Sequence, residues 1–200
     1  MMATGAIANL FKAVEESDDQ GVINALEAGA EINSSGESGN TALHLACEAE
    51  PSEKAISVLK LLLEKGADVS ARNKDGGYTA LHQLAANSDA NGEYCVAMAK
   101  LLVDAGADLE AKVEGVTKLE KKFNEVKMSR KGMTPLLVVL SDRWYRRDNA
   151  VLAKALLELG ADANARTPDQ AEHPSWYVLS STYSPRKISN FIKLSSLDCP

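Results

Sequence analysis

The sequence predicts an all-α solenoid, a single domain built from stacked helix-turn-helix units, and three observations point to it. The phrase Gly-Ala-acid recurs four times, as Gly29-Ala30-Glu31, Gly66-Ala67-Asp68, Gly106-Ala107-Asp108 and Gly160-Ala161-Asp162. A leucine-bearing run precedes each copy: Leu26, Leu61-Leu62-Leu63, Leu101-Leu102-Val103 and Leu156-Leu157-Glu158-Leu159. A second marker lies downstream of three of these glycines, as Thr41-Ala42-Leu43-His44, Thr79-Ala80-Leu81-His82 and the degenerate Thr134-Pro135-Leu136-Leu137. Self-similarity of this kind means units that hide their apolar faces only against their neighbours.

Each leucine run reads as a helix that stops at the glycine, because a residue without Cβ enters the left-handed region at little cost. Each Thr marker reads as the N-cap of a new helix, with Pro135 tolerated near the start, where its missing N–H is not needed. The front unit, 8–38, has Leu10, Phe11, Ala13 and Val14 as an apolar face, and Glu15, Glu16, Ser17, Asp18 and Asp19 as the solvated end that an open stack needs. Three inner units follow at 39–75, 76–131 and 132–169. The last stretch, 170–194, is a degenerate rear cap in which Trp176 and Phe191 seal the stack.

Spacing separates the third connection from the others. Gly29 to Thr41 is 12 residues and Gly66 to Thr79 is 13, but Gly106 to Thr134 is 28. A long insertion, 109–131, therefore interrupts the third hairpin. Between Lys112 and Lys131 lie seven basic residues against three acids, in a chain whose formal net charge is −6. Val116, Leu119, Phe123 and Val126 form an apolar stripe at helical spacing, bordered by Lys118 and Lys122. A helix this short needs a surface to lie on, either the protein's own flank or a partner. Extra residues also fall between the helices of each inner unit, in Glu48–Ala55, Asn87–Glu93 and Asp142–Asn149. These should line up as a ridge on the edge opposite the hairpins.

Composition narrows the function. No run of eighteen apolar residues could span a bilayer, and the first residues lack the basic and apolar segments of a secretory signal. Three cysteines, Cys47, Cys95 and Cys199, show no CxxC spacing. They read as buried reduced thiols, which suits an intracellular, cytoplasmic or nuclear, compartment. No phosphate loop, GxGxxG, HExxH or G-x-S-x-G motif is present, so neither catalytic residues nor cofactor or metal ligands are assigned.

The motifs TALHLA at Thr41–Ala46 and TALHQLA at Thr79–Ala85, with the run Leu61–Ala71, resemble the ankyrin repeat, whose period is about 33 residues. The resemblance covers 8–194 and implies an ankyrin-repeat solenoid, a noncatalytic protein-protein interaction module acting as adaptor or scaffold. It also implies that His44 and His82 bond within and between units. Ankyrin partners bind hairpin tips and the exposed face of each first helix, which carries over to Asn40, Lys74, Asp75, Tyr78 and Met133 at the hairpins and to Glu48, Asn87 and Asp142 on the helices. Tyr78 and Met133 stand out as apolar bodies at positions that need not be buried. Lys118, Lys122 and Phe123 on the insertion, and Trp144 within Arg143-Trp144-Tyr145-Arg146-Arg147, complete the candidate surface. The expected partner is a protein rather than nucleic acid or a membrane, and the chain is expected to be a monomer. The alternative function is an inhibitor or immunity-type protein whose basic insertion covers an enzyme.

Overall fold

The computed structural model describes residues 2–87, 92–115, 130–141 and 150–167. The rear cap and most of the insertion lie outside them. Eight helices occur among the described residues: α1 (Met2–Glu15), α2 (Asp19–Glu27), α3 (Ala42–Glu48), α4 (Glu53–Glu64), α5 (Ala80–Ala86), α6 (Gly92–Asp104), α7 (Pro135–Ser141) and α8 (Ala150–Glu158). Successive helices pair as antiparallel hairpins. The first members pack in an inner row, α1 on α3, α3 on α5 and α5 on α7, and the second members in an outer row, α2 on α4, α4 on α6 and α6 on α8. The architecture is an all-α ankyrin-type stack with one isolated β-bridge, Ser35 to Thr41, among the described residues.

The glycines stop the outer helices as their lack of Cβ dictates. Gly29, Gly66, Gly106 and Gly160 adopt φ of 91°, 86°, 94° and 103°. Each then closes two carbonyls of the last turn: Gly66 N–H donates to Leu63 C=O and Ala67 N–H to Leu62 C=O, and the other three repeat that pattern. Ser17 occupies the corresponding place after α1, at φ 53°, with the same pair of bonds, to Val14 and Ala13. A Cβ is disfavoured there. Ser17→Gly should raise stability by about 0.5–1 kcal/mol, read as an upward shift of the melting midpoint.

The inner helices start where the Thr markers stand. Thr41 and Thr79 hold extended backbones ahead of α3 and α5, and Thr134 Oγ1 accepts from Leu137 N–H at 3.4 Å ahead of α7. Alanines on the inner row let helices approach closely, while Leu43, Leu59, Leu62, Leu81, Leu84, Leu102 and Leu156 fill the layers between units with at most 1% of each side chain exposed. Burial of each such leucine contributes about 1.5–3 kcal/mol. The core is continuous from Ala6 to Ala165. Units therefore share one apolar layer and do not enclose separate ones.

The loop between α3 and α4 runs over residues 49–52 and ends in a side-chain cap, Ser52 Oγ accepting from Ala55 N–H at 3.1 Å. The extra residues of that unit are thus divided between a short loop and the twelve-residue α4. The corresponding loops at 88–91 and 142–149 lie outside the described residues.

Candidate interaction surface

A histidine ladder fixes which residues remain at the surface. Thr41 N–H donates to His44 Nδ1 at 3.2 Å, and Nε2 lies 2.9 Å from the Tyr78 carbonyl of the next unit. A backbone N–H can only donate, so Nδ1 carries its lone pair and the ring proton sits on Nε2, donated to that carbonyl. His82 repeats the arrangement one unit on, with Thr79 N–H at 3.3 Å and the Met133 carbonyl at 3.2 Å. Burial removes water from both rings and holds both below the usual imidazole range, His82 down to about 4. In the next unit Leu137 replaces the histidine, and the ladder ends there.

This ladder corrects two expectations. Tyr78 and Met133, each 5% exposed, belong to the core and not to the exposed face of the hairpins. Both precede a marker Thr, and their carbonyls accept from the histidine of the previous unit. The Tyr78 ring stands edge-on to His82, with centroids 5.6 Å apart.

Two further candidates are occupied by internal bonds. Asn87 is half-buried, and its amide donates to the Glu48 and Ala49 carbonyls at 2.6 and 3.1 Å, closing the C-terminal end of α3 in the preceding unit. Asn40 is half-buried and accepts from Asn73 Nδ2 at 2.9 Å, so the amides of adjacent hairpins hold each other. Glu48 and Lys74 are exposed and Asp75 is half-buried. Asp142, Lys118, Lys122, Phe123 and Trp144 lie outside the described residues.

Residues that the sequence reading passed over fill the gap. Leu45 and Gln83, four positions after their marker threonines, are half-buried on the inner row, with Glu48 one turn beyond Leu45 on the same face. The available signal was a polar residue, Gln83, standing where its unit otherwise shows an apolar run. Exposed Lys74, Lys112 and Lys131 mark the hairpin edge beside this face. On the opposite edge an open cleft of about 490 Å³ runs between the end of α1 and the loop after α3, lined by Glu15, Glu16, Glu50, Lys54 and Tyr94 among others.

The hairpins are also joined side by side. Asn33 Oδ1 accepts from Asp68 N–H at 2.8 Å while its amide donates to Gly66 C=O at 3.3 Å. Glu110, four residues past its capping glycine as Asn33 is past Gly29, accepts from Asp162 N–H at 2.8 Å. Partial burial raises the Glu110 carboxyl, and the Asp162 and Asp108 charges push the same way. Cys47 and Cys95 are buried free thiols raised by desolvation. Among the described residues no three His, Cys, Asp or Glu side chains are grouped to hold a metal ion, and no helix is long and apolar enough to cross a membrane.

Comparison with known proteins agrees with this geometry. The family model for ankyrin repeats in three copies matches residues 10–113, just over half of the chain. An ankyrin repeat and KH domain-containing protein of Caenorhabditis briggsae is 36% identical over 84 residues, 42% of this chain and 3% of its own length. The ankyrin repeat and KH domain-containing protein mask-1 of Caenorhabditis elegans is 38% identical over 86 residues, 43% of this chain and again 3% of its own. The chain thus spans a small fraction of these relatives. With three matched copies, a capped helix pair in each and a histidine ladder between them, the chain belongs to the ankyrin repeat family, whose repeats generally serve as protein-protein interaction modules.

Proposed function

We propose that this chain is a noncatalytic recognition module that binds a protein partner along the inner helix row and the adjoining hairpin edge, working inside the cell as a monomer. One observation carries the reading. Among the described residues the groups with the widest chemical repertoire, His44, His82, Cys47 and Cys95, are buried within the stack, and both histidines are hydrogen-bonded there. The side chains left on the inner row and hairpin edge, Leu45, Gln83, Glu48, Lys74 and Lys112, are partly or fully accessible. A half-exposed leucine flanked by charged groups provides the apolar centre and polar rim typical of an interface.

Affinity capture from native lysate tests the reading, comparing the wild-type chain with Leu45→Glu/Lys74→Glu. The double variant should stay folded with a modestly lower melting midpoint, since Lys74 is exposed and Leu45 packs at the margin of the core, and should lose its captured proteins. Unchanged capture would remove this face from the proposal. Several proteins recovered together favour an adaptor or scaffold.

The inhibitor reading is favoured by a different feature, the local excess of four positive charges between Lys112 and Lys131 in an acidic chain. Charge of one sign on an insertion steers encounter with an acidic enzyme surface. Recovery of one enzyme, with its activity falling as the chain is added, would select it.

A further inference from the structure

The third hairpin is closed across a gap that works against closure. In the first hairpin Gly36 N–H meets Asn40 C=O, in the second Asn73 meets Tyr78, and in the third Val113 meets Met133, each at 3.0 Å. The partners are four, five and twenty residues apart. By chain length alone, loop closure becomes less probable as roughly the three-halves power of length, about tenfold between the first two pairs and the third. The bond forms all the same, and Gly132 N–H adds a second at 2.7 Å to Val113 C=O.

The surroundings of this root explain how. Arg72 Nη1 donates to Gly77 C=O at 3.0 Å and to Lys112 C=O at 2.8 Å, and lies 3.5 Å from Glu114 Oε1. One guanidinium thereby ties the base of the second hairpin to the outgoing strand of the third. Glu114 and Gly115 N–H groups both donate to Gly76 C=O, at 2.9 and 3.0 Å. The equivalent contact one hairpin earlier is the single bond from Lys74 N–H to Ser38 C=O. On the returning strand Arg130 Nη1 donates to the Tyr78 hydroxyl at 3.2 Å. The backbones are close: a Cβ added at Gly115 would stand 3.2 Å from Gly76 Cα, and one at Gly77 3.1 Å from Glu114 Cβ.

We propose that Arg72 and Arg130 form a two-armed clamp that holds the root of the insertion, residues 112–115 and 130–133, against the second hairpin. The clamp offsets the closure cost of the long loop, so the root is paired independently of the residues between its strands. Arg72 is a positioning residue, acting through the Lys112 backbone carbonyl and the Glu114 carboxylate.

Amide hydrogen exchange by NMR on the full chain tests this. Val113 and Gly132 amides should be protected to within a few-fold of Asn73. Arg72→Ala should accelerate exchange at Val113 and Gly132 by roughly tenfold, and Tyr78→Phe, which removes only the hydroxyl, should accelerate Gly132. When residues 116–129 are replaced by a four-residue turn, closure no longer needs the clamp, and Arg72→Ala should then change exchange by less than about threefold. Equal acceleration in long and short chains would make Arg72 an ordinary hairpin contact and overturn the clamp. So would an unprotected Val113 in the wild type, no acceleration in the full chain, or a shortened chain that fails to fold.

Discussion

His82→Ala is expected to cost about 3–4 kcal/mol, the largest loss of any single polar substitution in the stack. Truncation strands two buried groups, the Thr79 N–H that pointed at Nδ1 and the Met133 carbonyl that accepted from Nε2, and opens a void under the Tyr78 ring. Urea unfolding at pH 7 measures it as a lower midpoint. The cost should also depend on pH, with a sign fixed by the direction of the shift. The folded ring titrates near 4, the unfolded one near 6.5. Between these values the unfolded chain binds more protons, so acidification favours unfolding. The stabilising contribution of neutral His82 is fully present above pH 6.5 and is lost as pH falls from 6.5 through 4, a span worth about 3 kcal/mol. His44 is shifted in the same direction and adds to the trend. The gap in stability between wild type and His82→Ala should therefore narrow by about 3 kcal/mol from pH 7 to pH 4. A constant gap across that range would contradict the assignment of a neutral, buried ring.

Gly39→Ala is expected to be the next most damaging, at about 2–3 kcal/mol, although it adds one methyl group at a turn. Two costs coincide. The backbone sits at φ 78°, which an alanine adopts with strain, and its Cβ would stand 2.6 Å from Lys74 N, the atom that donates to Ser38 C=O. Neighbouring hairpins would have to separate, and the bond between them would be lost. Gly29→Ala provides the control, because that glycine has a similar φ of 91° and nothing within 4 Å of an added Cβ. Its cost should be only that of the strained backbone, about 1 kcal/mol. Equal losses at the two sites, measured by thermal unfolding, would show that the hairpins are not in tight register.

Tyr78 shows where reading along the chain stops. Its place just before a marker Thr, on a hairpin, suggested an exposed aromatic, because in one dimension nothing covers it. His44 of the preceding unit, 34 residues earlier, holds its carbonyl, while the ring stands edge-on to His82 and its hydroxyl accepts from Arg130. Met133 is held through its carbonyl by His82 across 51 residues, the insertion among them. Asn87 resembled a free polar residue at a helix end, yet its amide serves the helix end of the unit before. In each case a partner at least 34 residues away along the chain takes part.

The sequence by itself determined the elements of this protein: helices that end at Gly29, Gly66, Gly106 and Gly160, helices that begin after Thr41, Thr79 and Thr134, and an overlong third hairpin. Those features are local, set by the steric freedom of glycine, the capping geometry of threonine and the spacing between them. Only the tertiary structure decided which faces stay open, with Tyr78 and Met133 turned inward, Leu45 and Gln83 left on the inner row, and Arg72 spanning two hairpins. The reason is physical. In a stack, each unit's surface is the surface its neighbours leave uncovered, and that depends on hydrogen bonds and packing between residues a full repeat apart.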